Sequence, residues 1–163
     1  MKPHLFDAIV AMHNIRMELA PTIHGAIARF TFPEYNAHRS FGDRRVCFVE
    51  ASWNNHGVDS EGHPYISGVA RQVSKDRMIV AGFGLHAHIT SDTNGDTGMK
   101  TDIEDHGEMI CFKYTGGTGR SVTIRLTTSL ISDEQAVVSM RRELPRSMNF
   151  DDIAWLAKST WNR

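Results

Sequence analysis

The stretch Arg120-Ser-Val-Thr-Ile-Arg-Leu-Thr-Thr-Ser129, continuing as Leu130-Ile-Ser-Asp-Glu-Gln-Ala136, decides the architecture. Val122, Ile124 and Leu126 alternate with Thr123, Arg125 and Thr127. That period of two places each set on one face of a strand. The period then changes. Ser132 and Gln135 fit a capping box, in which the serine oxygen accepts from the backbone and the glutamine reaches back. Ala136, Val137, Met140 and Leu144 follow at helical spacing, and Pro145 stops the helix. Asn149 or Asp151 can cap a second helix, on which Ile153, Ala157 and Trp161 share a face. A β unit therefore leads into a helical exit.

Upstream, alternation dominates. Ile15, Met17 and Leu19 alternate with Arg16 and Glu18, and Ala26, Ala28, Phe30 and Phe32 with Arg29 and Thr31. Pro21 and Gly25 bracket the connection between these two strands, and Pro33 closes the second. Residues 34–45 form a polar loop, 45–51 a strand buried on both faces, and 53–64 a long polar connection. Residues 65–73 and 78–89 are further strands, the second interrupted by Gly82 and Gly84, which suggest a bulge or a close backbone approach. Residues 91–98 are a loop. Residues 108–114 and 120–129 read as a hairpin around Thr115-Gly-Gly-Thr-Gly119. About seven short strands with turn signals between them define a mainly β chain, an antiparallel β-sandwich followed by two C-terminal helices. The division expected is a sandwich over 1–129 and a helical segment over 130–163.

Composition bounds the function. The chain has 163 residues, 40% hydrophobic and 23% charged, which suits one globular domain. A net charge of −1 without a dense Lys/Arg run argues against a nucleic-acid partner. No apolar stretch is long enough to span a bilayer, so no membrane partner is expected. Lys2 is not followed by an apolar signal segment, which makes a cytoplasmic location the default. Cys47 and Cys111 sit in apolar contexts on different strands. They can form a disulfide, but two buried thiols are the expectation without a secretory signal.

Several constellations could carry chemistry. Trp53, Asn54, Asn55 and His56 form the most sugar-friendly segment. An indole face can stack on a pyranose while amides and an imidazole orient hydroxyls; a tryptophan packed under its own loop is the plain alternative. His86 and His88 lie on one face of a strand, where a third ligand could complete a transition-metal site. Two histidines on a half-exposed polar face are the competing reading. Asp92, Asn94 and Asp96 offer oxygens at alternate positions, as a calcium loop would. Thr97 and Ile103 stand where the full calcium pattern needs glycine and glutamate. Asp102, Glu104, Asp105 and Glu108 surround Gly107 like a solvated turn, and Glu50 is expected to pair with an arginine. Gly116-Gly117-Thr118-Gly119 lacks the Lys-Ser/Thr ending of a phosphate loop and is read as a turn.

Three segments together resemble glycoside hydrolase family 92, the calcium-dependent exo-α-mannosidases. Met17-Glu-Leu-Ala-Pro-Thr-Ile-His-Gly-Ala-Ile-Ala-Arg-Phe-Thr-Phe-Pro33 is similar to the family's strand–turn–strand. Val122 to Ala136 is similar to its strand and Thr-Ser-x-Ile-Ser-x-Glu-Gln-Ala helix start. Glu143-Leu-Pro to Trp161-Asn is similar to its Phe-Asp-initiated helix ending in Ala-x-x-x-Trp-Asn. The middle, 34–118, matches only in strand pattern.

The resemblance implies an N-terminal sandwich of the galactose-mutarotase-like supersandwich type. Through a helical linker it would pack on an (α/α) barrel that carries the catalytic carboxylates and the calcium. This chain would be a non-catalytic part that scaffolds the barrel and helps shape an α-mannoside pocket. No catalytic residue and no cofactor is carried over to it. The family's Gly/His-rich segment ahead of these strands is not matched either. Two other readings stand beside this one: a free-standing carbohydrate-binding or adaptor domain, and a small metal-binding protein using His86 and His88. The face meant for the barrel should be apolar, so a homo-oligomer through Trp155 and Trp161 is expected.

Overall fold

The computed structural model describes residues 2–11, 13–33, 44–49, 69–74, 77–82, 85–96, 98–105 and 109–162. Among these are β1 (Phe6–Val10), β2 (Ile15–Pro21), β3 (Gly25–Thr31), β4 (Arg44–Val49), β5 (Val69–Ser74), β6 (Arg77–Gly82), β7 (Leu85–Asp92), β8 (Met99–Asp105), β9 (Met109–Gly116) and β10 (Ser121–Ser129). Helices α1 (Asp133–Glu143) and α2 (Phe150–Trp161) follow. A seven-stranded sheet runs β1-β2-β3-β10-β7-β6-β5, and a three-stranded sheet runs β4-β9-β8. Every pairing is antiparallel.

The two sheets enclose one core. Phe32, Ile89, Val122 and Ile124 from the large sheet side meet Val46, Met99, Phe112 and Tyr114 from the small one. The Tyr114 hydroxyl is buried there and shares a 2.7 Å hydrogen bond with Ser91 Oγ, so its polar end is satisfied. Burial pushes the phenol well above its ordinary pKa.

The other face of the large sheet is covered by the helices. Ala20 and Ile27 pack against Met140, Leu144, Phe150 and Ile153 in a second core. The molecule is thus layered small sheet, large sheet, helices. Strand β10 is central and buried on both faces, which its alternating sequence conceals. Its polar set is held by specific bonds: Thr127 Oγ1 donates to Ala136 O at 2.7 Å, and Arg125 Nη2 donates to Met148 O at 3.0 Å. Hydrogen-bonded polar residues can line a buried face that a simple in/out reading assigns to water.

Both helix starts are capped. Ser132 Oγ accepts from Gln135 N, one half of the expected box. The start of α2 carries the full reciprocal box, Asn149 with Asp152, so the cap is Asn149 rather than Asp151. Ile153 and Ala157 face the sheet as expected, but Trp161 is exposed.

Four other expectations are corrected. Residues 78–89 are not one strand: Gly82 pairs with Leu85, and β6 and β7 form a hairpin. The acidic stretch read as a turn is strand β8 through Asp105, with Glu104 between Arg45 Nε (2.7 Å) and Lys113 Nζ (2.8 Å). Arg45 is exposed, although it opens the strand expected to be buried on both faces. The hairpin expected around 115–119 is a crossover, because β9 belongs to the small sheet and β10 to the large one. Gly116 and Gly117 take φ of 69° and 64° there, a region where a Cβ is costly.

Candidate functional site

Trp53, Asn54, Asn55 and His56 lie outside the described residues, as does Glu50. The remaining candidates fall around the helix-covered face and at the crossover.

His86 and His88 are on β7, on the face of the large sheet that carries the helices, because their register partners Ser129 and Thr127 lie on that face of β10. His86 Nδ1 is 2.8 Å from Asp133 Oδ1, at the first residue of α1. His88 is buried beside Thr127. His88 is thus buried, while His86 is partly exposed. Among the described residues, no three His, Cys, Asp or Glu side chains gather as a metal group.

Asp92, Asn94 and Asp96 are close in sequence, and each is engaged with the protein. Asp92 Oδ1 accepts from Asn94 N at 2.8 Å, and Oδ2 lies 3.5 Å from Arg125 Nη1. Asn94 Oδ1 accepts from Thr123 Oγ1 at 2.7 Å, and its amide donates to Ser121 Oγ at 3.1 Å. Asp96 accepts from the backbone N–H of Gly119 and, at 2.9 Å, of Gly98. Those N–H groups, Gly119 first, hold its carboxyl below the usual range. Asn94 and Gly95 have φ of 54° and 83°, which turns the chain tightly. These oxygens brace the crossover through those bonds. Arg44 completes the brace by donating to Gly116 O and Gly119 O.

Two features escape a reading by motif. The first is the end of the large sheet at the β2–β3 turn. Glu143, the last residue of α1, accepts from both the backbone N–H and the ring of His24. His24 is 57% exposed at its side chain, so this oriented imidazole lies at the surface of the β2–β3 turn. Helix α1 is therefore fastened at both ends by an imidazole–carboxylate pair, His86–Asp133 and His24–Glu143.

The second is a charge ladder across β1, β2, β3 and α2. Asp7 takes a two-pronged contact from Arg16, Glu18 takes one from Arg29, and Arg29 continues to Asp151 at 3.1 Å. The Arg29 guanidinium also lies over the Phe150 ring, 4.3 Å from its centroid. Partners this far apart in sequence leave no local spacing to detect.

No protein-family profile matches this chain, and no curated protein matches it. Solved structures do. A family GH92 inverting mannosidase from Bacteroides thetaiotaomicron VPI-5482 superposes with a TM-score of 0.68 at 19% identity, over 99% of this chain and 22% of that one. A family GH92 α-mannosidase from Bacteroides thetaiotaomicron, in complex with mannoimidazole, superposes with a TM-score of 0.62 at 15% identity, over 98% of this chain and 22% of that one. A GH92 family glycosyl hydrolase gives 0.54 at 14% identity, over 91% and 20%. The chain has the fold of a part of GH92 mannosidases, and it spans about a fifth of their length.

Proposed function

We propose that this chain is the β-sandwich part of an α-mannosidase-like glycoside hydrolase of family 92. Its role is to carry a helical catalytic domain and help wall a sugar pocket. The observation that supports this most is coverage: nearly the whole chain, helices included, superposes on a GH92 mannosidase. The resembling segments add to it, because Ala20, Ile27, Leu144, Phe150 and Ile153 all fall within them and pack together as the second core.

The division is a sandwich over 1–129 and a helical linker over 130–163. Trp155 and Trp161 are 66% and 61% exposed, and Val138 and Leu156 are exposed with them. Helix α2 thus buries one apolar face and also shows apolar side chains to solvent, and Val138 does the same on α1. The partner on that face is the helical barrel; a second copy of this chain is the substitute when the barrel is missing. Acid and base carboxylates and calcium belong to the barrel, and the residues of this chain take no chemical step. Trp53, Asn54, Asn55 and His56 are its contribution to the α-mannoside pocket.

Titration calorimetry of the full chain against the helical portion of a GH92 mannosidase, freed of its own sandwich, tests this reading. Association that Trp155→Ala weakens is the expected outcome. No association, with both components folded, contradicts it.

A further inference from the structure

The expectation of two buried thiols is overturned. Cys111 is fully buried and disulfide-bonded, and no cysteine among the described residues is free. The chain has one other cysteine, Cys47, and the β4–β9 ladder sets it directly opposite Cys111. Opposed residues of antiparallel strands are about 4.5–5.5 Å apart at Cα, within the span a disulfide bridges.

The placement gives this bond a task. Strand β4 has six residues and, among the described residues, pairs only with β9 at an edge of the small sheet. Among the described residues, its ties to the molecule include the β9 ladder, Val46 in the core, the Arg45–Glu104 pair, Arg44 over the Phe32 ring and the Arg44 contacts at the crossover. A link from position 47 to 111 closes a loop of about 65 residues, a length at which a cross-link removes much unfolded-state entropy.

We propose that oxidation of Cys47 and Cys111 is a maturation step that fastens β4 to the small sheet, and that the folded chain therefore works in an oxidising compartment. The oxidant is a protein or small-molecule disulfide. One cysteine thiolate attacks a sulfur of that disulfide and forms a mixed disulfide. The second thiolate attacks the cysteine sulfur of the mixed bond. The Cys47–Cys111 bond forms, and two electrons and two protons leave with the reduced dithiol. Such bonds persist where thiols are not kept reduced, in secreted, periplasmic or endoplasmic-reticulum proteins, which departs from the cytoplasmic default. The proposal is independent of the mannosidase reading.

The test folds the full chain with oxidised glutathione, then unfolds it in denaturant with an alkylating agent, with and without prior reduction. No alkyl group should add before reduction, and two should add after it. Reduction should lower the thermal midpoint by about 10 °C. It should also speed amide exchange across Arg44–Val49 more than across β3 and β10. Cys111→Ala should match the reduced wild type; if that variant does not fold, the reduced wild type alone gives the comparison. Two reactive thiols after folding in oxidised glutathione would overturn the proposal. So would a bond whose reduction moves neither the midpoint nor β4 exchange.

Discussion

His24 Nδ1 lies 2.5 Å from Glu143 Oε1, while Glu143 Oε2 accepts the His24 backbone N–H at 2.9 Å. One carboxylate thus ties the β2–β3 turn to the last residue of α1, across 119 positions of sequence. Burial alone would raise the Glu143 pKa. The ring and backbone N–H of His24 outweigh that and hold it below its usual value.

A depressed carboxyl pKa has a definite sign. Its stabilisation is present above the unfolded value of 4.5 and is lost as pH falls through the folded value. Glu143→Gln should cost about 1–3 kcal/mol at neutral pH. It should also flatten the fall in stability between about pH 5 and pH 3. Urea denaturation across that range checks both; a parallel fall in wild type and variant would sever Glu143 from the acid response.

Arg29 joins a buried carboxylate to a helix. Replacing it with Met leaves Glu18, 5% exposed, without its two-pronged partner and releases Asp151 of α2. Arg29→Met should cost about 2–3 kcal/mol and speed amide exchange in α2. Adding Glu18→Gln should recover part of that loss, since it removes a buried carboxylate left with Arg16 alone, 3.4 Å away.

Gly25 sits where the β3 and β10 backbones nearly touch. A Cβ there would fall 2.0 Å from Leu126 O and 2.9 Å from Thr127 Cα. Backbone atoms cannot rotate away, so Gly25→Ala should cost about 3 kcal/mol or more. A calorimetric midpoint within a degree or two of wild type would contradict this packing.

Trp155 points away from both cores. Trp155→Ser should leave the thermal midpoint nearly unchanged, as substitutions at exposed positions do. It should reduce self-association in light scattering if that face is the sticky one. Unchanged association would shift attention to the exposed pair Leu130 and Ile131.

Local pattern revealed the elements better than their partners. β2, β3 and β10 were legible because their alternation is uninterrupted, and α1 and α2 because a cap, a proline and helical spacing coincide. β1 escaped because Phe6, Ile9 and Val10 are exposed on an edge and show no in/out contrast. Acidic side chains disguised β8; Arg45 and Lys113 neutralise Glu104 and hold its carboxyl down to about 2. The assignment of β9 and β10 to different sheets was invisible, since a short glycine-rich link suits a hairpin and a crossover alike. Of the candidate sites, the Asp92–Asp96 region was found as a loop, but its carboxylates brace the backbone. The His24–Glu143 pair had no sequence signal, because its partners meet only after α1 folds back on the sheet.

The central claim is that this chain serves an α-mannosidase without performing the hydrolysis. The measurement that tests it most directly is turnover of an α-linked mannobiose by the purified full chain, with calcium and then with a chelator. Inverting hydrolysis needs an acid and a base carboxylate about 6.5–9.5 Å apart, and the account assigns both to the barrel. The predicted result is no turnover in either condition. Calcium-dependent release of mannose would place the catalytic pair within this chain and contradict the account.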